Sequence, residues 1–407
     1  MNPTQKQFSV SSRSIKSNFL TVIHRVAAAL SAVLVLSALA SETPGAPVNG
    51  TVLYGDRTIA VDLPLSQETD LWVTPVQTTE INGYTLKPEG LCRKEVCIPI
   101  SRKAADGFVQ SKDGVELLNL NKLADKLSQP VVVDSKRRVW SFGPVGSQGA
   151  EGAAPVVAPD FVLPDRKGKT VKLSDFRGKK VLLLSWASWC RCREDLGGWE
   201  TLYQDLKGKN FELVAVAEDT EGEAACGKYY DQAKATYTTL IDKQHVVSSL
   251  YKMVNVPMGV WIDEDGMIVR PAEVAYSRPV AMLSIKVDGA RYTEGLKDWT
   301  EKGPKSEFAL SPEELRKRMS PTDSKLGLAE ANFKLAVHLQ LAGDEGSADY
   351  FKAAQDLAPD NWNYHRQQWA FQPKAADGLW LKKFTALKGK PYYAPLDLPP
   401  TKDKGEK

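Results

Sequence analysis

Hydrophobic and polar positions change period several times along this chain, and those changes divide it. Residues 26 to 40 form an apolar stretch, preceded by Lys6, Arg13, Lys16 and Arg25 without a single acid. From about 50 to 142, short apolar runs of strand length (TVLYG, RTIAV, DLWVTPV, QPVVVDS, RRVWSFG) are separated by turn residues,. One segment there, LLNLNKLADKLS, spaces its leucines as a helix does,. The pattern predicts a small α+β domain over 50–142. Residues 143–157 are dense in Gly, Ala and Pro and have no period, as a flexible linker requires,.

From 158 to 305 the pattern becomes an alternation. Lys180 to Ala187 is a continuous apolar strand, the signature of a strand covered on both faces,. A helical pattern starts at Cys190, followed by strand FELVAVA, helix EGEAACGKYYDQAKA, strand TYTTLID, helix HVVSSLYKM and the hairpin GVWIDEDGMIVR with its Asp-Gly turn,. Such an order builds an α/β sheet with helices on both faces. Residues 311–385 read as helical, opening on SPEELRKRM with a Ser-Pro-Glu-Glu helix start,. Residues 386–407 read as a tail, with PPTKDKGEK expected to be disordered,.

Composition adds bounds. A chain of 407 residues, 43% hydrophobic and 25% charged, is long enough for two or three domains,. The basic start, the apolar run and the end Ala38-Leu39-Ala40 read as a secretory signal spanning 1–40,. The alternative is a membrane anchor over 19–40, but the run falls short of the roughly 20 apolar residues a spanning helix needs. Position 41 is serine, so no lipid-bearing cysteine follows. Subtracting the four leader cations from the net charge of +3 leaves about −1 with signs interspersed, which gives no reason to expect nucleic acid,.

Export places five cysteines in an oxidising compartment, and the odd number implies at least one free thiol,. Cys92 and Cys97, in the turn-like PEGLCRKEVCIPI, are expected to form a local structural disulfide,. Zinc would need two further ligands, and His24, His245, His338 and His365 are remote and lack finger spacing,. Neither a metal nor another cofactor is expected.

Cys190 and Cys192 carry the chemistry. Cys190 stands where a buried strand meets a helix, and helix N-H groups and dipole favour a thiolate there. Arg191 and Arg193 add positive charge beside it,. Trp186 and Trp189 flank the site, either as core or as a surface for extended peptide. The more distant Trp362, Tyr364 and Trp369 read as helix-packing anchors,.

SWASWCRCR resembles the thioredoxin-like superfamily, whose hallmark is Trp-Cys-x-x-Cys after a buried strand. APDF and LSDFRGK resemble its redoxin (AhpC/TSA) branch, which includes secreted thiol-disulfide oxidoreductases of the TlpA and ResA type. VNVPMGVWIDEDGMIVR resembles that fold's cis-proline loop, which implies a cis Val256-Pro257 bond facing the cysteine. The resemblance covers roughly residues 155 to 300. Ala331, Leu335, Ser347, Phe351, Ala354 and Pro359 have the spacing of one tetratricopeptide (TPR) unit, which must pack on this chain or dock a partner protein,. The whole resembles bacterial redoxin proteins with an N-terminal Cys-x4-Cys domain and a TPR-like end.

The sequence also departs from that family. The second family cysteine falls at Arg193, and Cys192 lies one residue early. On a regular helix, positions two apart point about 200° from each other, so a Cys190-Cys192 bond requires local unwinding. Three readings stand: a Cys-x-Cys redox pair, a Cys190-Cys226 pair, and a purely structural Cys192. Peroxiredoxins have Pro and Thr where this chain has Leu183 and Ala187, which demotes a thiol peroxidase. The buried acid of thioredoxins is replaced by Leu184, leaving Glu194, Glu218 or Asp219 as proton carriers. A Cu(I) site on Cys190, Cys192 and His245 is the non-enzymatic alternative, together with an idle docking module. The first expectation is an exported thiol-disulfide oxidoreductase acting on protein or small-molecule disulfides, served by an electron donor or acceptor the sequence does not name.

Overall fold

Burial at every position of Lys180–Trp186 follows from its place at the centre of a five-stranded sheet. In the computed structural model, which describes residues 48–63, 69–145, 156–319 and 324–400, the strands run in the order Thr238–Ile241, Phe211–Ala217, Lys180–Trp186, Met258–Ile262 and Ile268–Val274. The first three are mutually parallel, and the last two join antiparallel. The leader 1–40, linker residues 146–155 and the final 401–407 lie outside the described residues.

Alternate residues of the central strand feed two cores. Leu182, Leu184 and Trp186 point toward helices Leu196–Leu206, Glu223–Ala233 and Gly289–Lys302. Val181 and Leu183 face the opposite side, against helix Val246–Leu250, the strand pair Val162–Pro164 and Thr170–Lys172, and helix Pro312–Arg318. Fully burying each such aliphatic chain contributes about 1.5–3 kcal/mol, so the period-2 pattern fixes the register of the sheet. The Ser311 cap and Glu314 close a capping box at the helix that SPEELRKRM announces,.

Over 48–142 the main sheet runs Arg57–Leu63, Val48–Tyr54, Val139–Phe142, Val131–Asp134. Two predicted elements change. DLWVTPV is a two-residue strand, Trp72–Val73, and then helix Pro75–Asn82, started by Pro75 and a Thr74–Gln77 capping box,. LLNLNKLADKLS divides at Asn119: strand Val115–Asn119 ends where the Asn119 side chain caps helix Leu120–Lys126,. Cys92 and Cys97 face each other across the hairpin of Gly90–Arg93 and Val96–Ile98 and are disulfide-bonded.

The TPR-like segment forms an antiparallel pair, Ser324–Leu341 and Ser347–Leu357, whose apolar faces are covered by this chain. Leu335 and Leu339 pack with Leu53 and Val139, and Arg137 hydrogen-bonds Asp344. Phe333 stacks on Tyr364 and meets His245 edge-on. Helices Trp362–Ala370 and Pro373–Thr385 follow.

The expected tail is a correction. Residues 386–400 are tied to the domain of the five-stranded sheet by Arg270 donating to the Asp397 carbonyl and Arg291 donating to those of Pro399 and Pro400. Tyr392 is buried in the main core, which offsets the entropy of ordering an irregular segment,. No helix among the described residues is long and apolar enough to cross a membrane.

Candidate active site

Cys190 is not on a helix. Its backbone is extended (φ −98°, ψ 138°), and it caps a 3₁₀ turn, Arg191–Asp195, that precedes helix Leu196–Leu206. The Cys190 sulfur accepts from the Cys192 backbone N-H at 3.2 Å, and its own S-H donates to the Val256 carbonyl at 3.5 Å. The following Val256-Pro257 bond is cis.

This geometry is the local unwinding that a Cys190-Cys192 pair requires. With Cys190 in the extended cap and Cys192 in the 3₁₀ turn, the regular-helix angle does not apply, and the Cys192 thiol hydrogen-bonds Cys190,. Both are free thiols, and both are buried.

The positive charge at the sulfur also differs from expectation. Arg191 points outward, 67% exposed, and pairs with Glu194. Arg193 donates to the carbonyls of Ser188 and Cys190, and its guanidinium lies over the Tyr229 ring. The cation that faces Cys190 is Arg366, from helix Trp362–Ala370. It stacks 4.6 Å from the centre of Trp189 and donates to the Trp189 carbonyl at 3.2 Å and to the Tyr392 hydroxyl at 3.0 Å.

Burial opposes ionisation of Cys190. The hydrogen bond from the Cys192 thiol, the Arg366 charge and the Cys192 N-H outweigh it and bring Cys190 down to about 6,. Burial and the anion at Cys190 push Cys192 well up. The pair therefore separates into a thiolate and a protonated thiol at neutral pH. The floor formed by Cys190 opens into a cavity of about 420 Å³ walled by Trp189, Tyr276, Trp369, Trp380 and Tyr393.

The other predicted residues are placed elsewhere. Cys226 is fully buried in helix Glu223–Ala233; burial, Asp219 and Glu223 hold its thiol protonated, and it is not among the groups facing Cys190. His245 lies 3.5 Å from Glu218 and against Phe333, so the structure does not gather the Cu(I) set. Glu194 sits at the surface with Arg191, and Glu218 is buried with His245 and Asn363. Asp219 accepts from the Ser188 N-H and hydroxyl. Trp186 is wholly core and donates to the Tyr230 hydroxyl, whereas Trp189 is half-buried and binds Gln367. Trp362 packs on Tyr392, and Tyr364 on Phe333, while Trp369 lines the cavity.

Sequence reasoning missed Arg366, Asp195 and Tyr393. Asp195 ties the 3₁₀ turn to the loop after Ile268–Val274 by accepting from the Ser277 N-H at 2.6 Å and hydroxyl at 2.7 Å. Its place directly after CRCRE was the only available signal. The Tyr393 hydroxyl donates to the Val256 carbonyl at 2.9 Å.

Parallel strands extended by an antiparallel hairpin, a cis-proline loop and a cysteine capping the turn after the central strand define a thioredoxin-like domain. Residues 156–271 match the AhpC/TSA family. The chain is 32% identical over 114 residues to "Thiol-disulfide oxidoreductase ResA" of Bacillus thuringiensis subsp. konkukian (strain 97-27), covering 28% of this chain and 65% of the relative. It is 35% identical over 112 residues to the ResA of Geobacillus kaustophilus (strain HTA426), covering 27% and 64% respectively. The chain thus spans just under two thirds of the length of these relatives. A solved structure of a putative thiol:disulfide interchange protein DsbE from Chlorobium tepidum aligns at 30% identity and a TM-score of 0.30, over 35% of this chain and 92% of that one.

Proposed function

We propose that the protein is a thiol-disulfide oxidoreductase in which Cys190 is the nucleophile and Cys192 the resolving thiol. The observation that carries this reading is the contact between a thiolate-favoured Cys190 and a protonated Cys192 beneath Arg366. The similarity to thiol-disulfide oxidoreductases supports it.

In the reducing direction, Cys190 S⁻ attacks one sulfur of a substrate disulfide, forming a mixed disulfide and releasing the other half as thiolate, which takes a proton from solvent. Cys192 then loses its proton and attacks the Cys190 sulfur, forming the Cys190-Cys192 disulfide as the second substrate half leaves with that proton. Two electrons pass from the dithiol to the substrate. The oxidising direction is the reverse, and the potential of the donor or acceptor sets which one prevails. Arg366 and the amide of Cys192 stabilise the Cys190 anion before attack,.

Incubating Cys192→Ser with glutathione disulfide tests the assignment by intact mass. A stable adduct on Cys190, absent from Cys190→Ser and unaffected by Cys226→Ser, is expected; an adduct trapped by Cys226→Ser alone would assign the resolving role to Cys226.

Export is part of the proposal. A basic start and apolar run ending Ala-Leu-Ala support a cleaved leader, and the Cys92-Cys97 disulfide suits an oxidising compartment,. N-terminal sequencing of the protein recovered from a bacterial host should begin at Ser41; an intact start at Met1 would contradict cleavage.

A further inference from the structure

The C-terminal part of the chain closes over the nucleophile in a way that selects what can reach it. A peptide adding as a strand beside Cys190 needs a free backbone acceptor there. The neighbouring acceptor is the Val256 carbonyl, which already accepts from the Tyr393 hydroxyl at 2.9 Å, so Tyr393 stands where such a strand would bond,. Tyr393 is no loose cover. Its neighbour Tyr392 is buried, packs on Tyr393 and Trp362, and receives hydrogen bonds from Arg366 and from the Trp380 indole. Cys190 lines a cavity of about 420 Å³, toward the small end of the range for small-molecule sites,.

The lining has a definite chemistry. Its walls are aromatic, with Trp189, Trp369 and Trp380 prominent, and its charged groups are Arg191, Arg193 and Arg366 against the single carboxylate of Asp377. Arg366 is committed to Cys190, and Arg191 pairs with Glu194. Arg193 is held by carbonyls and a ring, so among the described ion pairs no carboxylate neutralises it. An aromatic-walled cavity with an unneutralised guanidinium favours a flat or apolar body bearing an anion.

We propose that this site exchanges with low-molecular-weight disulfides whose leaving or entering half has an aromatic or apolar body and an anionic group, and that it excludes protein disulfides. The inference rests on the exchange reading above and narrows its substrate class. The step is the one already written: Cys190 sulfur bonds to one substrate sulfur, the substrate S-S bond breaks, and the departing half leaves as thiolate.

The test uses the reduced full-length chain under stopped flow with four disulfides: 5,5′-dithiobis(2-nitrobenzoate), neutral 4,4′-dithiodipyridine, cationic cystamine, and insulin. Each rate is divided by that of 2-mercaptoethanol thiolate with the same disulfide. The normalised rate for the aromatic carboxylate should exceed that for cystamine by about tenfold or more, the scale of one favourable charged contact, and insulin should be slowest. Arg193→Gln should reduce the carboxylate-over-neutral ratio severalfold. Should that variant fold poorly, Trp380→Ala should instead raise the insulin rate by opening the wall. Equal normalised rates for insulin and the aromatic carboxylate, with Cys190 as the reacting thiol, would overturn the selectivity and leave the exchange reading standing. No reaction at Cys190 with any of the four would overturn both.

Discussion

The guanidinium of Arg366 faces the sulfur of Cys190 from a helix that lies outside residues 156–271. A thiolate in a buried position needs compensating charge. Part of that charge here comes from a segment placed after the TPR-like hairpin. Helix Trp362–Ala370 therefore contributes to the candidate site at Cys190, with a charge that residues 156–271 do not supply.

Because Cys190 is held low and Cys192 and Cys226 are held high, a brief pulse of a small alkylating reagent at pH 7 should modify one cysteine per reduced chain,. Peptide mapping should place the label on Cys190. Equal labelling of Cys190 and Cys192 would contradict the separation of the pair.

Adjacent glycines at the start of helix Leu196–Leu206 should respond oppositely to alanine. A Cβ at Gly197 meets nothing within 4 Å, so Gly197→Ala should stabilise by about 0.5–1 kcal/mol,. A Cβ at Gly198 would stand 2.0 Å from the Ser277 hydroxyl, breaking the tie to Asp195, and Gly198→Ala should cost about 1–3 kcal/mol,. Urea unfolding of the two variants would show the opposite signs, and a stabilised Gly198→Ala would refute the tie.

Much of this was legible in the sequence, for physical reasons. The apolar run at 180–187 could only be a central strand, and the Asp-Gly turn could only join the two antiparallel strands that follow it. Cys190 stood out because thiolate chemistry is written locally, at a strand end beside a turn. Arg366 could not be found that way, since nothing in NYHRQQWAF indicates which distant sulfur it will meet. Whether the turn at Cys190 is unwound, as a Cys190-Cys192 pair requires, could not be read locally for a related reason: the cap conformation depends on contacts with Val256 and Ser277 from other parts of the chain. Helix Pro75–Asn82 was missed because its polar sequence carries no apolar period, only a capping box.

Asp219 should impose a pH dependence on stability. Burial raises it from its usual 3.8 to about 6, against the hydrogen bonds from Ser188, so the folded chain keeps a proton that the unfolded chain has released. Its stabilising contribution is present below about pH 4, falls as pH rises, and is gone above about pH 6. Asp219→Asn should gain on the parent across that window, on the order of 2–3 kcal/mol, while keeping one acceptor for Ser188. Unfolding midpoints at pH 4 and pH 7.5 measure this; an unchanged difference between the two proteins would contradict it.

Reducing the Cys92-Cys97 bridge should leave the active site intact. The bridge closes a short hairpin in the core that contains Leu91, away from the cluster that holds Cys190. Cys92→Ala with Cys97→Ala should cost roughly 2 kcal/mol, the scale for so short a loop, with little change in the alkylation rate of Cys190.

The most direct measurement is the pH dependence of Cys190 alkylation in the reduced full-length protein and in Arg366→Gln. The parent should show a midpoint near 6, and the variant a midpoint moved to about 7 or higher, toward the ordinary cysteine range,. A parent midpoint at or above that ordinary range, or the same midpoint in both proteins, would contradict a thiolate held by the C-terminal arginine.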